Sequence, residues 1–482
     1  MNDKEMVRAI PPKAAKKRKR SFDWSALAFV AALCLLSFLY GTTSNELNLP
    51  PNSQVRQAFY ALKAFRLIDN DLPTGVMRVD PDAEPRSSVR RLDPTAGDEL
   101  LLVTGGPYRK TDLCPKYGCL AWVADRSGKV VRTWPLPLDA LFQDAKGYEG
   151  DQRLTNFYPN GVGLLSDGSL VATFHSRNTY PYAGGIARIG ADGKVFWKSV
   201  GDGHHWLHVG PDDRIYAPVQ IRRKLNHIAG NAVELHCADV VHDEGVRIYR
   251  PDGKIERTVL MADMLVRGGY PGLIYSVSNG CDPIHLNSID VASPEVASRI
   301  TGAKSGDVLV SLREKSAIVL FDPETAKVKR VIVGRTAAQH SAKFLPDGTV
   351  LAFDNQGGAK ALGGSRIVRL NLVDGSVQTL FPTQESRALL PFFSETGGFV
   401  MPSPDGKRAM VSSEDQSRDF EFDLATGRPL WIMTHAIDVN PIMKKRGKPL
   451  AGLLNVRGTY YLTKDQAIAL DLGEAEQRLA SR

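Results

Sequence analysis

Short stretches that alternate apolar and polar residues run along the chain from Glu99 to about residue 472, separated by turn residues. In NGVGLLSDGSLVATFH (160–175), for example, an Asp-Gly turn separates two apolar runs. A two-residue period is that of a strand with one face buried, and Asp-Gly favours a tight turn between antiparallel strands. The pattern predicts an all-β structure, and the high content of 43 Gly and 29 Pro suits a turn-rich one.

The pattern recurs in units, each of which ends in an outer turn and an outer strand. The outer turns begin at Val123, Ile189, Tyr249, Phe321, Asn371 and Phe422. Six strand-rich units of roughly 40 to 80 residues predict a six-bladed β-propeller. We expect it to span 98–472, with GTYYLTKDQAIALDL (458–472) supplying the strand that closes the ring. A two-sheet sandwich with chance Asp-Gly turns is the alternative.

Polar residues occupy matching positions in these units. Asn160, His205 and His340 each lie seven residues before a turn aspartate, and His175, Gln220, Asn355 and Ser413 each lie eight residues after one. Side-chain direction repeats along a strand, so matching positions in a repeat face the same place. The spacing therefore predicts a polar cluster at the mouth of the central funnel.

The fourth unit adds His285 and Asn287 before its strand and Arg313 after it. With His205, His340 and Asn355, these residues form the predicted site. Arginine contacts oxyanions through two N–H groups, and a neutral imidazole is a competent nucleophile. The mix favours transfer of an anionic tetrahedral group, although each histidine taken alone could be structural. No carboxylate or cysteine lies at ligand spacing from His204 and His208, so we expect neither a metal nor another cofactor.

The N-terminus combines a basic run with an apolar segment. Eight of the first twenty residues are Lys or Arg against two acidic residues, so the remaining chain carries only about +2 of the net charge of +8. No nucleic-acid surface is implied. Residues 24–41 have the length of a transmembrane helix, and the basic residues before them place the N-terminus in the cytoplasm. A cleaved signal peptide is the alternative.

These observations predict five segments: a cytoplasmic tail (1–23), an inner-membrane anchor (24–41), a periplasmic stalk (42–97) with a helix over Gln54–Ile68, the propeller (98–472) and a C-terminal tail (473–482). The exported part is expected in the periplasm.

Four of the five cysteines lie in the exported part. An even number in an oxidising compartment favours disulfides. The local pair Cys114–Cys119 is the first choice, which leaves Cys237 with Cys281. Buried free thiols are the alternative.

Several blocks resemble bacterial arylsulfate sulfotransferases. QHSAKFLPDGTVLAFDN (339–355) resembles the segment that holds their nucleophilic histidine, and HLNSID (285–290) and VLVSLREKSAIVLFD (308–322) resemble two further blocks. HHWLHVGPDDRIY (204–216) is similar to their HHD-containing strand, with Trp206 where an aspartate is usual. Soluble family members also carry an N-terminal β-domain that this chain replaces with the predicted anchor and stalk.

The resemblance implies a six-bladed propeller that moves a sulfuryl group from an aryl sulfate to a phenol or other hydroxyl acceptor, without a nucleotide donor. In this interpretation His340 becomes sulfated, His285 and Arg313 bind the sulfuryl oxygens, and Asn287 orients them. His204 or His205 assists, and the repeat register favours His205. The predicted substrate-binding residues are Asn287, Asn355, His204 and His175.

Two other functions stay open. The first is a non-catalytic propeller whose funnel binds an envelope glycan or a protein partner. The second, a lyase or hydrolase acting on an acidic sugar, is disfavoured because no obvious Tyr or carboxylate base shares the repeat position. Histidines spread over more than about 8 Å would favour binding, because one transferred group must touch nucleophile and clamp together.

Overall fold

The computed structural model describes residues 24–46, 50, 76–105, 113–114, 116–144, 154–176, 183–223, 227–235, 237, 240–276, 280–441, 443 and 446–472. The chain divides into two compact units, residues 1–67 and residues 68–482. The predicted tails, most of the predicted stalk and its helix over Gln54–Ile68 lie outside the described residues.

Helix α1 (Trp24–Glu46) belongs to the first unit. Its segment Trp24–Ser44 is, among the described residues, the one helix long and apolar enough to cross a membrane. Length and composition of this kind fit a membrane anchor and a signal sequence equally.

The described part of the second unit is mostly β. Its thirty strands are β1 (Val76–Asp80), β2 (Ser88–Arg91), β3 (Leu101–Gly105), β4 (Cys119–Ala124), β5 (Val130–Pro135), β6 (Phe157–Leu164), β7 (Leu170–Ser176), β8 (Ala183–Ile189), β9 (Val195–Val200), β10 (His208–Val209), β11 (Ile215–Arg223), β12 (His227–Ile228), β13 (Val233–Glu234), β14 (Val241–Tyr249), β15 (Ile255–Leu260), β16 (Leu286–Val291), β17 (Val308–Leu312), β18 (Ala317–Asp322), β19 (Lys327–Val333), β20 (His340–Phe344), β21 (Val350–Asp354), β22 (Arg366–Leu370), β23 (Val377–Phe381), β24 (Phe399–Pro402), β25 (Arg408–Ser413), β26 (Arg418–Asp423), β27 (Pro429–Thr434), β28 (Ala436–Asp438), β29 (Ala451–Leu454) and β30 (Val456–Tyr461).

Short helices connect the strands. They are α2 (Leu138–Phe142), α3 (Met261–Arg267), α4 (Pro271–Tyr275), α5 (Pro294–Arg299), α6 (Gln384–Leu389) and α7 (Lys464–Ala469), with 3-10 turns at Leu154–Asn156, Arg313–Lys315, Gln356–Gly358, Lys360–Leu362 and Glu414–Gln416. Thr383 and Thr463 each begin a helix with a capping box, which satisfies backbone N–H groups of the first turn.

Within the described residues, six antiparallel sheets contain four or five strands. Their strand orders are β30-β3-β4-β5, β6-β7-β8-β9, β10-β11-β14-β15, β16-β17-β18-β19, β20-β21-β22-β23 and β24-β25-β26-β27-β2. The innermost strands contact one another in a closed circuit: β6 with β10, β10 with β16, β16 with β20, β20 with β24, β24 with β30 and β30 with β6. The described part of the second unit is thus mostly β, with antiparallel sheets as the alternating pattern predicts.

The turns between the two innermost strands of a sheet form as their sequence predicts. In the Pro346-Asp347-Gly348 turn, Asp347 Oδ1 accepts the Thr349 N–H at 2.9 Å, and Gly348 takes φ +83°, where a side chain would be strained. The turn brings β21 back along β20. It thereby fixes where the two strands end at the funnel mouth.

The last strand closes the circuit as predicted. β30 pairs with β3, with Tyr461 opposite Leu101. The strand ends at Tyr461, so the remainder of the predicted closing segment forms α7 instead.

The β-structure begins earlier than predicted. Strand β1 pairs with β29 and β2 pairs with β27, so the described strands start at Val76 instead of Glu99, inside the predicted stalk. Three of the four residues of β2 are exposed. An edge strand of this kind lacks the alternation on which the sequence prediction depends.

Both predicted disulfides are present. Cys114 bonds to Cys119 and Cys237 bonds to Cys281. Among the described residues the remaining cysteine, Cys34, is a free thiol on α1.

A buried carboxylate joins the first and last sheets. Glu421 on β26 accepts hydrogen bonds from Arg126 at 2.6 Å, Arg408 at 3.2 Å, the Tyr461 hydroxyl at 2.8 Å and the Gly97 N–H at 3.0 Å. Its side chain is 0% exposed and that of Arg126 is 7% exposed. Because each partner is largely desolvated, the network holds only if the carboxylate remains.

Replacing Glu421 should destabilise the ring. We expect Glu421→Ala to lower the free energy of unfolding by about 3–5 kcal/mol, the usual effect of leaving a buried charge unpaired. Denaturant unfolding followed by tryptophan fluorescence measures the change. Glu234→Ala, at an exposed position on β13, is the matched control, and equal midpoints for the two variants would contradict the prediction.

Candidate active site

His340 begins β20 at the point where the strand pairing is irregular, and Asn355 directly follows β21. His340 Nδ1 lies 2.7 Å from Asn355 Oδ1. The Asn355 Nδ2 donates to the carbonyls of Ser394 at 3.0 Å and Gly397 at 2.7 Å, which fixes the orientation of the amide. Asn355 Oδ1 therefore accepts a hydrogen bond from the His340 Nδ1–H group, and in the neutral ring Nε2 carries the lone pair.

The surroundings keep His340 neutral. Burial lowers the pKa of His340 to about 3, and the nearby His285 and Arg313 act in the same direction. The hydrogen bond with Asn355 opposes them only in part. At neutral pH the ring is therefore an uncharged imidazole, the form that can act as a nucleophile.

His285 lies next to His340, with 6.4 Å between the ring centroids. Its backbone takes φ +52°, and its Nδ1 is 2.5 Å from Asp282 Oδ2. Burial alone would raise the pKa of the Asp282 carboxyl, but His285 lowers it below its usual value. Asp282 thus accepts a hydrogen bond from the His285 Nδ1–H group and orients the His285 ring.

His205 continues the row of imidazoles. Its ring centroid is 5.0 Å from that of His285 and 4.7 Å from that of His175. Its backbone N–H donates to His175 Nε2 at 3.2 Å, so His175 supports the unusual φ of +48° at His205. His175 and His205 are both buried, and burial holds the pKa of each well below its ordinary value.

His204 lies behind His205 and is fully buried. The two Nδ1 atoms are 2.8 Å apart, and His204 Nε2 is 3.5 Å from Glu244 Oε1. Burial lowers the pKa of His204 to about 3 and raises that of Glu244 well above its ordinary value. His205 is the one of the two whose ring lies next to that of His285.

Arg313 is the first residue of a 3-10 turn after β17, and its side chain is 25% exposed. Its guanidinium contacts Glu314, and its charge helps to lower the His340 pKa. Asn287 is fully buried and donates through Nδ2 to the Gln339 carbonyl at 2.8 Å. In the described part of the chain, Asn287 Oδ1 has no hydrogen-bond partner.

Two other residues at the shared repeat positions form local contacts instead. Gln220 donates to the Gly201 carbonyl at 3.2 Å, and the Ser413 hydroxyl bonds to Gln416 at 3.0 Å. Trp206, at the position where the resemblance leads one to expect an aspartate, is buried with its ring centroid 6.1 Å from that of His340. Its indole N–H donates to the Arg457 carbonyl at 2.7 Å.

The sequence interpretation missed the carboxylates of this site. Asp282 lies three residues before His285, a spacing that could have been noticed. Glu244 lies on β14, and no local signal connects it with His204, because only the pairing of strands brings the two together. Neither carboxylate is among the candidate residues named from the sequence. Among the described residues, no three His, Cys, Asp or Glu side chains form a group that could hold a metal ion.

Residues 271–427 match the family model described as arylsulfotransferase (ASST). The match supports the arylsulfotransferase family for this segment of the chain. The arylsulfotransferase segment contains His285, Asn287, Arg313, His340 and Asn355. The histidines His175, His204 and His205 precede it. No curated protein matches the sequence.

Three solved structures illustrate the wider similarity. A protein of unknown function from Bacteroides caccae is 12% identical, with a TM-score of 0.42 over 70% of this chain and 94% of that chain. The Dos1 propeller is 12% identical, with a TM-score of 0.36 over 75% and 76%. A virginiamycin B lyase from Staphylococcus aureus is 14% identical, with a TM-score of 0.35 over 70% and 86%. At these TM-scores the likeness assigns no function to the arylsulfotransferase segment.

The contact between Asn355 and His340 makes the His340 pKa sensitive to one substitution. In Asn355→Asp a carboxylate would replace the amide oxygen beside Nδ1 and favour the imidazolium, so we expect the His340 pKa to rise above about 3. A pH titration of isotope-labelled histidine by NMR measures it. The control is Asn231→Asp at an exposed turn, and an unchanged His340 titration in Asn355→Asp would contradict the assigned contact.

Proposed function

We propose that this chain is a sulfotransferase that moves a sulfuryl group from an aryl sulfate to a phenol or other hydroxyl acceptor through a sulfohistidine at His340, on a six-bladed propeller. The observation that carries the proposal is the continuous row of imidazoles, with ring centroids of His205 and His285 5.0 Å apart and those of His285 and His340 6.4 Å apart. These separations are short enough for one transferred group to contact nucleophile and clamp together. The match of residues 271–427 to the arylsulfotransferase family model supports the reaction class.

In the first half-reaction, His340 Nε2 attacks the sulfur of the donor. The bond between sulfur and the aryl oxygen breaks, and its electron pair leaves with that oxygen. The His340 ring becomes positively charged, and Asn355 Oδ1 stabilises this charge through the Nδ1 proton. Arg313 and His285 would hold the sulfuryl oxygens, where fixed donors lower the barrier without reorganising.

In the second half-reaction, the acceptor oxygen attacks the same sulfur. The nitrogen–sulfur bond breaks, and its electron pair returns to Nε2, which restores neutral His340. Burial favours this return, since it disfavours the charged ring. Transfer in two steps through one residue requires ping-pong kinetics.

The N-terminal features support the periplasm as the location of this reaction. Helix α1 would anchor the chain in the inner membrane as a single span, with the basic tail in the cytoplasm and the β-unit in the periplasm. The disulfides Cys114–Cys119 and Cys237–Cys281 suit an oxidising compartment of that kind.

A covalent adduct tests the nucleophile. With phenyl sulfate as donor and no acceptor, we expect the peptide containing His340 to gain about 80 Da, the mass of one sulfuryl group held by a nucleophilic side chain. His340→Asn should remove the adduct and turnover while keeping the melting temperature, and His227→Asn on β12 is the matched control. Mass spectrometry of the digested protein locates the adduct.

Each other result of this experiment has a defined meaning. An adduct on His205 or His285 would keep the reaction class and correct the nucleophile. Binding of phenyl sulfate with neither adduct nor turnover would favour a propeller that only binds its ligand.

The role of Arg313 depends on the shape of its guanidinium. A lysine ammonium cannot contact two sulfuryl oxygens in the same plane, so Arg313→Lys should raise the barrier to transfer by roughly 2–4 kcal/mol, the range for losing one fixed donor. Steady-state kcat/KM measures the loss. Arg335→Lys at an exposed site is the control. Normal transfer by Arg313→Lys would show that Arg313 is a structural residue after β17 with no part in sulfuryl transfer.

A further inference from the structure

Glu414 occupies, in the last sheet, the position that Arg313 occupies in the fourth. The segments REKSAIVLFD (313–322) and EDQSRDFEFD (414–423) align without a gap. Each begins with a 3-10 turn and continues through a serine with positive φ, +45° at Ser316 and +55° at Ser417. The strand pairing is also the same, with Leu312 opposite Ala317 and Ser413 opposite Arg418. Equivalent positions in such a ring face the same axis, so Glu414 faces the funnel that Arg313 faces.

The hydrogen bonds of Glu414 go to one of its two oxygens. Glu414 Oε1 accepts from Arg457 at 2.7 Å and from Asn455 Nδ2 at 3.1 Å. In the described part of the chain Glu414 Oε2 makes no hydrogen bond, although the side chain is only 9% exposed. The carboxylate is therefore held by Oε1 and keeps Oε2 as an available acceptor.

Oε2 lies on the side of the site that holds His340. A Cβ built on Gly397 would fall 1.9 Å from Glu414 Oε2, so Oε2 lies directly against this glycine. The Gly397 carbonyl accepts from Asn355 Nδ2 at 2.7 Å, and Asn355 is the residue bonded to His340 Nδ1. Three short contacts, from Oε2 to Gly397, from Gly397 to Asn355 and from Asn355 to His340 Nδ1, thus connect the carboxylate with the proposed nucleophile.

The partner of Glu414 adjoins the other end of the imidazole row. Arg457 also contacts the Tyr158 hydroxyl at 3.3 Å, and the Tyr158 ring centroid is 5.8 Å from that of His175. The Arg457 charge adds to burial in lowering the pKa of His175. Glu414, Arg457 and Tyr158 therefore form one wall of the site, which we name the Glu414 wall.

We infer that the Glu414 wall is the subsite of the acceptor, and that Glu414 Oε2 takes the proton of its hydroxyl group in the second half-reaction. This inference rests on the proposed function. As the O–H bond of the acceptor breaks, the proton goes to Glu414 Oε2 and the acceptor oxygen forms a bond to sulfur. The nitrogen–sulfur bond breaks, and its electron pair returns to His340 Nε2. The protonated carboxyl then gives its proton to water, which restores the carboxylate for the next turnover.

The electrostatics of the wall suit a base. Burial raises the pKa of Glu414, and Arg457 opposes this change only in part. A carboxylate with a raised pKa removes a proton more readily than an exposed one. The subsite would therefore accept hydroxyl groups that are not ionised, such as alcohols and weakly acidic phenols.

The test measures the two half-reactions, adduct formation and adduct discharge, separately in the Glu414→Gln variant. We expect the His340 adduct to form from phenyl sulfate at the wild-type rate. Discharge of the isolated adduct to unsubstituted phenol should slow by about 100-fold or more, the contribution of a general base. Discharge to para-nitrophenol, assayed at a pH where this acceptor is ionised, should change little because no proton has to be removed. Glu395→Gln at an exposed position is the matched control.

Several results would overturn the inference and leave the proposed function intact. These are equal discharge to phenol by wild type and Glu414→Gln, equal slowing for both acceptors, or loss of adduct formation in a variant with native melting temperature. A wild-type protein that forms no adduct would instead reject the proposed function and, with it, this inference.

A wild-type measurement keeps the test decisive if Glu414→Gln does not fold. Discharge is measured with a series of phenols of differing acidity at one pH. A shallow dependence of the rate on the acidity of the acceptor supports removal of the proton by the protein, whereas a rate that follows the ionised fraction of each phenol contradicts it.

Discussion

The pairing of β30 with β3 is the constraint on which the rest of the structure depends. It joins a strand from the end of the β-unit to one near its start, and Glu421 reinforces it from the last sheet through Arg126 and Tyr461. The innermost strands can face one axis only when this circuit is complete. The row from His175 to His340 is drawn from strands and loops far apart in the sequence, so its spacing exists only in the closed ring.

Burial then decides the chemistry of the site. The imidazoles of His204 and His340 are held neutral with pKa values of about 3 because their desolvation outweighs every favourable contact. Two of the rings are oriented by a specific partner: Asn355 for His340 and Asp282 for His285. A neutral, oriented His340 can accept a group without first losing a proton to solvent. The supporting residues thus determine what the histidines can do.

Repeat spacing predicted much of this arrangement. It placed His205 and His340 at equivalent strand entries and Asn355 and Arg313 after the neighbouring strands, and it identified the closing strand. It did not predict β2, because an exposed edge strand has no hydrophobic alternation. It missed Glu244 because this residue reaches His204 only through the packing of separate strands. It also overlooked Glu414. The spacing rule, which selects the residue eight positions after the turn aspartate, selects Ser413 in the last unit. Only the alignment of 414–423 with 313–322 shows that the next residue, Glu414, is equivalent to Arg313.

His205 and His285 share one more property, a left-handed backbone at φ +48° and +52°. For a residue with a Cβ this conformation costs on the order of 1 kcal/mol that glycine would avoid. Selection for stability alone would therefore favour glycine or asparagine at both positions, and a stability-driven redesign of this protein would remove the two imidazoles first. Under the proposed function, these two positions give up that stability for the chemistry of their imidazoles.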